Sequence, residues 1–186
     1  GTAAAFCLKR GLLPREYGRR HLDELRHRLF RDDVNIQWLA DDDPANLARK
    51  AKASDPGLND GIGVPEWKNR TETADYHGWA SEEKTAQLTW EKPVGLAEVG
   101  VAFDTGLKTR RVKLPMPEEL VRDYAVELRS DGVWREIARV TDNDRRYRVH
   151  RLPRMRADAL RVTVLRTWGD RLSRILEIRA YDSDGM

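Results

Sequence analysis

The chain has 186 residues, of which 40% are hydrophobic and 35% charged, with a net charge of +3. That length suits one domain plus an appendage, and the composition is too apolar for a disordered chain and too charged for a membrane-embedded one. The single cysteine, Cys7, excludes an internal disulfide and a cysteine-based zinc cage.

In chain order, Ala3 to Lys9 reads as a short helical run whose apolar stretch ends at Lys9-Arg10, unlike a signal peptide. Pro14 sits where proline is tolerated, in the first turn of a second helix. There Leu22, Leu25 and Leu29 recur at three- and four-residue spacing, a stripe expected to pack against a neighbour. Arg19, Arg20, Arg26 and His27 fall on the opposite face, where they are expected to be solvated, and Glu24 is placed to pair with Arg28 one turn on. Arg31-Asp32-Asp33 ends this helix, and Asp41-Asp42-Asp43-Pro44 marks a linker. Residues 1–47 are therefore expected to be a helical segment with its linker, and residues 48–186 a separate domain.

Beyond the linker the hydrophobic period changes from 3.6 to 2. Ala86, Leu88 and Trp90 alternate with polar residues. So do Val99, Val101 and Phe103, then Tyr124, Val126 and Leu128, then Leu160, Val162 and Val164, and finally Leu176, Ile178 and Ala180. Turn signals stand between them at Lys92-Pro93, Pro115-Met116-Pro117, Ser130-Asp131-Gly132, Asp142-Asn143-Asp144 and Trp168-Gly169-Asp170. Short strands without helical crossovers predict an antiparallel, mainly β domain, either a sandwich or a barrel. Trp90 and Trp134 fall on strand positions and are expected in the core.

The charge is unevenly spread. Residues 51–104 carry 5 Lys/Arg against 10 Asp/Glu, and residues 105–186 carry 19 against 13. In a sandwich such segments lie side by side and neutralise one another, which argues against a nucleic-acid surface. No run approaches the length that crosses a bilayer, so no membrane partner is expected. Nor does the sequence supply a catalytic centre. No serine sits in a Gly-x-Ser-x-Gly elbow, and His21, His27, His77 and His150 lack metal-ligand spacing.

A family resemblance chooses between the two β architectures. Leu58-Asn59-Asp60-Gly61 followed by Trp79-Ala80-Ser81 resembles the opening of discoidin (coagulation-factor type C, galactose-binding-like) domains. The segment from Ala97 to Asp104, the pair Asp123-Tyr124-Ala125-Val126 and Asp131-Gly132-Val133-Trp134, and the segments from Leu160 to Val164 and Glu177 to Tyr181 are similar to later strands of that family. The resemblance runs from about residue 51 to 182. It implies a jelly-roll β-sandwich, preceded here by the short helical segment. The segment from Gly61 to Gly78 is longer than the family's usual turn.

The resemblance also implies a ligand and a site. Members mostly bind carbohydrate, at a loop edge where this sequence has Trp168 with Asn143, Arg146 and His150. Trp67, Tyr76 and His77 in the inserted loop form a second aromatic group. An indole takes the apolar side of a sugar ring while planar polar groups fix its orientation. The run Arg145, Arg146, Arg148, Arg151, Arg154 and Arg156 would suit an anionic glycan, because guanidinium matches carboxylate and sulfate. Such modules often hold a structural calcium, for which Asp60 and Glu177 occupy the resembling positions.

The first thirty-odd residues, Gly1 to Cys7, Gly11 to Arg15 and the leucine-spaced helix ending at Asp33, look like the tail of an FAD-dependent oxidoreductase. That resemblance implies a flavin domain as partner within a longer polypeptide and FAD as the parent's cofactor. This chain lacks the glycine-rich phosphate-binding turn and is expected to hold no flavin alone. The reading is a non-catalytic carbohydrate-binding-like module. The rival is a structural domain that docks on the flavin domain or mediates oligomerisation, with no glycan ligand.

Overall fold

A computed structural model describes residues 2–13, 16, 18, 21–34, 39–64, 77–106 and 116–183, without the side chains of residues 2, 3, 5 and 6. Pro14, Arg19, Arg20, Trp67 and Tyr76 lie outside the described residues. Among the described residues two α-helices, α1 (Thr2–Arg10) and α2 (Leu22–Arg31), precede seven strands. The strands are β1 (Lys52–Ala53), β2 (Trp79–Ser81), β3 (Thr85–Phe103), β4 (Val121–Ser130), β5 (Val133–Val140), β6 (Tyr147–Thr167) and β7 (Ser173–Tyr181). Their order is β2-β7-β3-β6-β4-β5, with β1 added on β3, and every pairing is antiparallel.

The sandwich is built on two long strands that serve both layers. The first part of β3 lies between β1 and β6, with Leu88 opposite Leu160. Its second part lies between β6 and β7, with Val99 opposite His150 on one side and Ala180 on the other. The register shifts between Thr89 and Val94, where Lys92-Pro93 stands. The expected turn there is instead a bulge: a proline without an N–H interrupts the ladder, and the strand bends and continues. A true two-residue hairpin turn joins β4 to β5, with Asp131 at φ 52° and Gly132 at φ 76°.

The alternating apolar residues meet in one core that includes Leu88, Trp90, Val101, Phe103, Tyr124, Val126, Leu128, Leu160, Val162 and Ile178. The two layers differ on their outer faces. Early β3 alternates between buried and half-exposed positions, but from Leu96 to Phe103 every residue is buried, and β7 is buried almost throughout. The outer face of this second layer is covered by the end of α2 and by residues that follow it, among them Asp33, Asp41 and Asn46. Hence Glu98, Glu177 and Arg179, which alternate with apolar residues as a solvent face would, are 3%, 0% and 2% exposed.

That cover is held by charge. Arg31 Nε donates to Glu98 at 2.8 Å and its guanidinium lies 4.0 Å from the centre of the Tyr181 ring. Asp33 accepts from Arg179 at 3.2 Å and also from Arg146. The Tyr147 hydroxyl donates to the Arg31 carbonyl at 3.1 Å. That ring lies across Gly100, where any Cβ would meet the Tyr147 oxygen. Asn46 is fully buried and its side-chain oxygen accepts from the Ala180 N–H.

The leucine stripe plays a smaller part than expected. Leu22 is 51% exposed, Leu25 and Leu29 are half-buried, and Phe30 is the buried residue of α2. The expected Glu24–Arg28 pair does not form, because α1 brings Arg10 to Glu24 while Arg28 turns to Asp32 at 3.2 Å. Arg26 and His27 are not free on a solvated face either, since the linker returns Asp42 to Arg26 at 2.8 Å and to His27 at 3.4 Å.

Candidate functional site

The loop edge is assembled from the start of β4, the turn from Asp142 to Asp144 and the loop from Thr167 to Asp170. Asp142 takes φ 51°, and its N–H donates to Asp123 at 2.9 Å. Burial raises the Asp123 pKa, but this hydrogen bond and Arg166 outweigh it and hold the carboxyl below its usual range. Asn143 is fully buried. Its amide donates to the carbonyls of Val121 and Arg145, both at 2.9 Å, and its oxygen accepts from Arg148 Nε at 2.7 Å. Asn143 therefore ties three segments of the edge together and offers nothing to a ligand.

Trp168 is half-buried and packs against the core. Its indole N–H donates to the Asn143 carbonyl at 2.8 Å, and the Arg122 guanidinium lies 4.7 Å from the ring centre. Arg122 is itself held by Asp142, 2.7 Å from Nε. The structure thus brings Trp168 and Asn143 together, with Arg122 and Asp142 as neighbours that the sequence reading did not select. The interleaved register of β4 and β6 decides this, and no spacing rule would reveal it.

Arg146 and His150 are placed elsewhere. Arg146 leaves the edge for the outer face, where it meets Asp33 and the Gly63 carbonyl. Burial, and then the charge of Arg179, depress its pKa. His150 points the other way, and its Nε2 lies 3.0 Å from the Tyr124 hydroxyl. Burial, followed by the charge of Arg148, lowers the His150 pKa to about 4.

The arginine run is largely neutralised. Arg148 pairs with Asp144 at 2.9 Å, Arg151 with Glu98 at 3.4 Å, and Arg154 with Asp182. Arg148 and Arg151, three residues apart on β6, fall on opposite faces by alternation, and each meets an acid.

Asp60 and Glu177, the expected calcium donors, stand on either side of Gly61. That glycine takes φ 82°, and an added Cβ would press on the Asp41 backbone at 2.8 Å. Its N–H donates to Glu177, 3.1 Å from Oε2 and 3.3 Å from Oε1. Asp60 accepts from the Ile62 N–H at 2.7 Å and faces His77 Nδ1 at 3.3 Å. These oxygens face backbone N–H groups and the His77 ring, and among the described residues no three His, Cys, Asp or Glu side chains are grouped to hold a metal. A Ca²⁺ cage here would need backbone carbonyl oxygens beside these two carboxylates. Burial drives the Glu177 pKa well above its usual value; the charge of Arg179 opposes this, while those of Asp60 and Asp41 add to it.

One tryptophan lies where the sequence does not place it. Trp134, expected in the core, stands opposite Arg129 on the outer face of β5 and is half-exposed. Because β5 is the edge strand, alternation alone does not say which of its faces is covered.

Among the described residues no helix is long and apolar enough to cross a membrane. No family model and no curated protein matches the chain. Solved structures do. The family 32 carbohydrate-binding module of Streptococcus pneumoniae EndoD matches 74% of this chain and 99% of its own, with a TM-score of 0.51 and 18% identity. The GH31 CBM32-2 module bound to GalNAc matches 74% of this chain and 95% of its own, with a TM-score of 0.51 and 13% identity. CpGH89CBM32-6 of Clostridium perfringens covers 74% and 99%, with a TM-score of 0.50 and 17% identity. The chain shares their fold, a jelly-roll β-sandwich, and these neighbours do not bear on the resemblance of the N-terminal segment to a flavoenzyme tail.

Proposed function

We propose that this chain is a non-catalytic carbohydrate-binding module. The observation that supports the reading is its likeness in fold to family 32 modules over nearly their whole length, one of them bound to GalNAc. At the loop edge a sugar would meet Trp168, Arg122, Asp142 and Arg145, with Asn143 beneath them as the tie. A neutral glycan fits better than an anionic one, because Arg146, Arg148, Arg151 and Arg154 already face acids. Asp60 and Glu177 have no part in this site. The test is a glycan screen containing neutral and acidic sugars, followed by calorimetric titration of the hits. Binding of neutral sugars by the intact chain is the expected result, and silence across the screen would overturn the proposal.

A second reading rests on α1 and α2. Leu8 and Leu22 are 82% and 51% exposed, while the charged cover fixes the end of α2 to the sandwich. In this reading the sandwich is a clamp that presents the two helices to a flavin domain of the same polypeptide, and FAD belongs to that domain alone. Co-purification of a flavin domain in tight complex, with no glycan bound, would favour it.

A further inference from the structure

Trp134 belongs to neither the core nor the loop edge. It is absent from the packed core, half-exposed, and next to Val133, which is 55% exposed at the tip of the hairpin. The Arg161 guanidinium lies 4.2 Å from its ring centre and that of Arg129 lies 5.6 Å away. Both are held from the other side. Glu127 accepts from Arg161 at 2.6 and 2.8 Å, and Asp158 accepts from Arg129 at 2.8 Å. In the next strand Gln87 stands opposite Arg161, its amide donating to Thr89 at 3.1 Å. The register places these residues in two adjacent rows across the sheet: Trp134, Arg129, Ala159 and Thr89 in one, and Glu136, Glu127, Arg161 and Gln87 in the other.

We infer that this outer face is a second saccharide platform, on which Trp134 takes the apolar side of a neutral sugar ring and Gln87, Glu127 and Arg129 take its hydroxyls. The inference rests on the carbohydrate-binding reading but names a site distinct from the loop edge. Charge decides the ligand class. Each guanidinium faces a carboxylate, so the face carries no surplus charge for a polyanion, whose binding requires counterion release by unpaired cations. The same density of ionised groups is unlike the centre of a protein interface, which is depleted in charge. What remains is an indole surrounded by planar polar groups whose orientations neighbours fix beforehand, so little ordering is needed on binding. Because the face is an open sheet, it suits internal units of a saccharide chain.

The test uses the whole chain and neutral hexose oligosaccharides of about four to six units, long enough to span neighbouring strands about 5 Å apart. The indole N–H resonances of the six tryptophans are followed by NMR. The Trp134 resonance is expected to shift on titration, and Trp134→Ala is expected to weaken binding at least tenfold with an unchanged fold by circular dichroism. Trp134→Phe should restore part of the affinity. If the oligosaccharide shifts the Trp168 resonance alone and Trp134→Ala binds as the parent does, the platform is wrong and the loop-edge reading stands. If no tryptophan resonance responds to any member of the panel, both fall together.

Discussion

The indole N–H of Trp168 donates to the backbone carbonyl of Asn143 at 2.8 Å. This one bond joins the loop after β6 to the turn before it, and it makes Trp168 part of the edge's construction. Trp168→Ala is therefore expected to destabilise the fold by about 2–3 kcal/mol, less than a fully buried tryptophan because the side chain is only partly buried. Trp134→Ala, on the outer face, should cost about 1 kcal/mol, mainly the stacking of Arg161. Urea melts of the two variants check the order. Equal losses, or a larger loss for Trp134, would contradict the packing of Trp168 against the core.

A buried carboxyl that accepts from one backbone N–H is a stability liability near neutrality. Burial raises the Glu177 pKa, so between the ordinary carboxylate value and its folded value the native state binds more protons than the unfolded one. Its contribution is present below the unfolded pKa and is lost as pH rises. Glu177→Gln keeps an acceptor for the Gly61 N–H without the charge, and should raise stability at pH 7 by about 1–2 kcal/mol. Thermal melts with and without millimolar Ca²⁺ check this. A calcium-dependent rise in the parent that the variant lacks would restore a metal role for Glu177.

His150 contributes in the opposite sense. Its folded pKa of about 4 lies below the ordinary value, so the unfolded chain takes up the proton first. Stability should fall as pH drops from about 6.5 towards 4, by about 3 kcal/mol at most. His150→Gln retains a partner for the Tyr124 hydroxyl and should flatten this acid slope. Chemical denaturation at several pH values between 4 and 8 measures it. An unaltered slope in the variant would assign the acid sensitivity to other groups.

Much of the sandwich was legible because one face of most strands is apolar. Leu88, Val126 and Leu160 repeat with period 2 and meet in the core. The outer faces were not legible. Glu98, Glu177 and Arg179 look like solvent positions on a half-buried strand, yet a covering segment nearly fifty residues or more away in the sequence buries them. Alternation reports which residues share a face; it does not report what covers that face. For the same reason Trp134 reads as core, whereas Arg146 was placed at the loop edge by family resemblance and the structure sends it to Asp33. Trp168 and Asn143 were paired by family resemblance, and no periodicity of the sequence carries their hydrogen bond.

The last prediction concerns the cover itself. Asp33 takes φ 58°, and its side chain, 8% exposed, faces Arg146 and Arg179 together. Removing it would leave Arg179, 3% exposed, with Asp41 at 3.8 Å and the Tyr147 ring 5.4 Å from its guanidinium. Loss of one partner from a buried ion pair costs about 3–5 kcal/mol, because the remaining charge has neither water nor partner. Asp33→Ala should therefore cost about 3 kcal/mol and release α2, whereas Asp33→Asn, which tolerates the same backbone and still accepts one hydrogen bond, should cost about half as much. Leu25→Ala should cost only about 1 kcal/mol, since Leu25 is half-buried. Amide exchange over Leu22–Arg31 separates the two causes. Rapid exchange in Asp33→Ala with native-like protection of β4 and β6 is the expected pattern. If Leu25→Ala frees the helix and Asp33→Ala does not, the segment is held by its leucines, and the charges on the sheet's outer face merely accompany it.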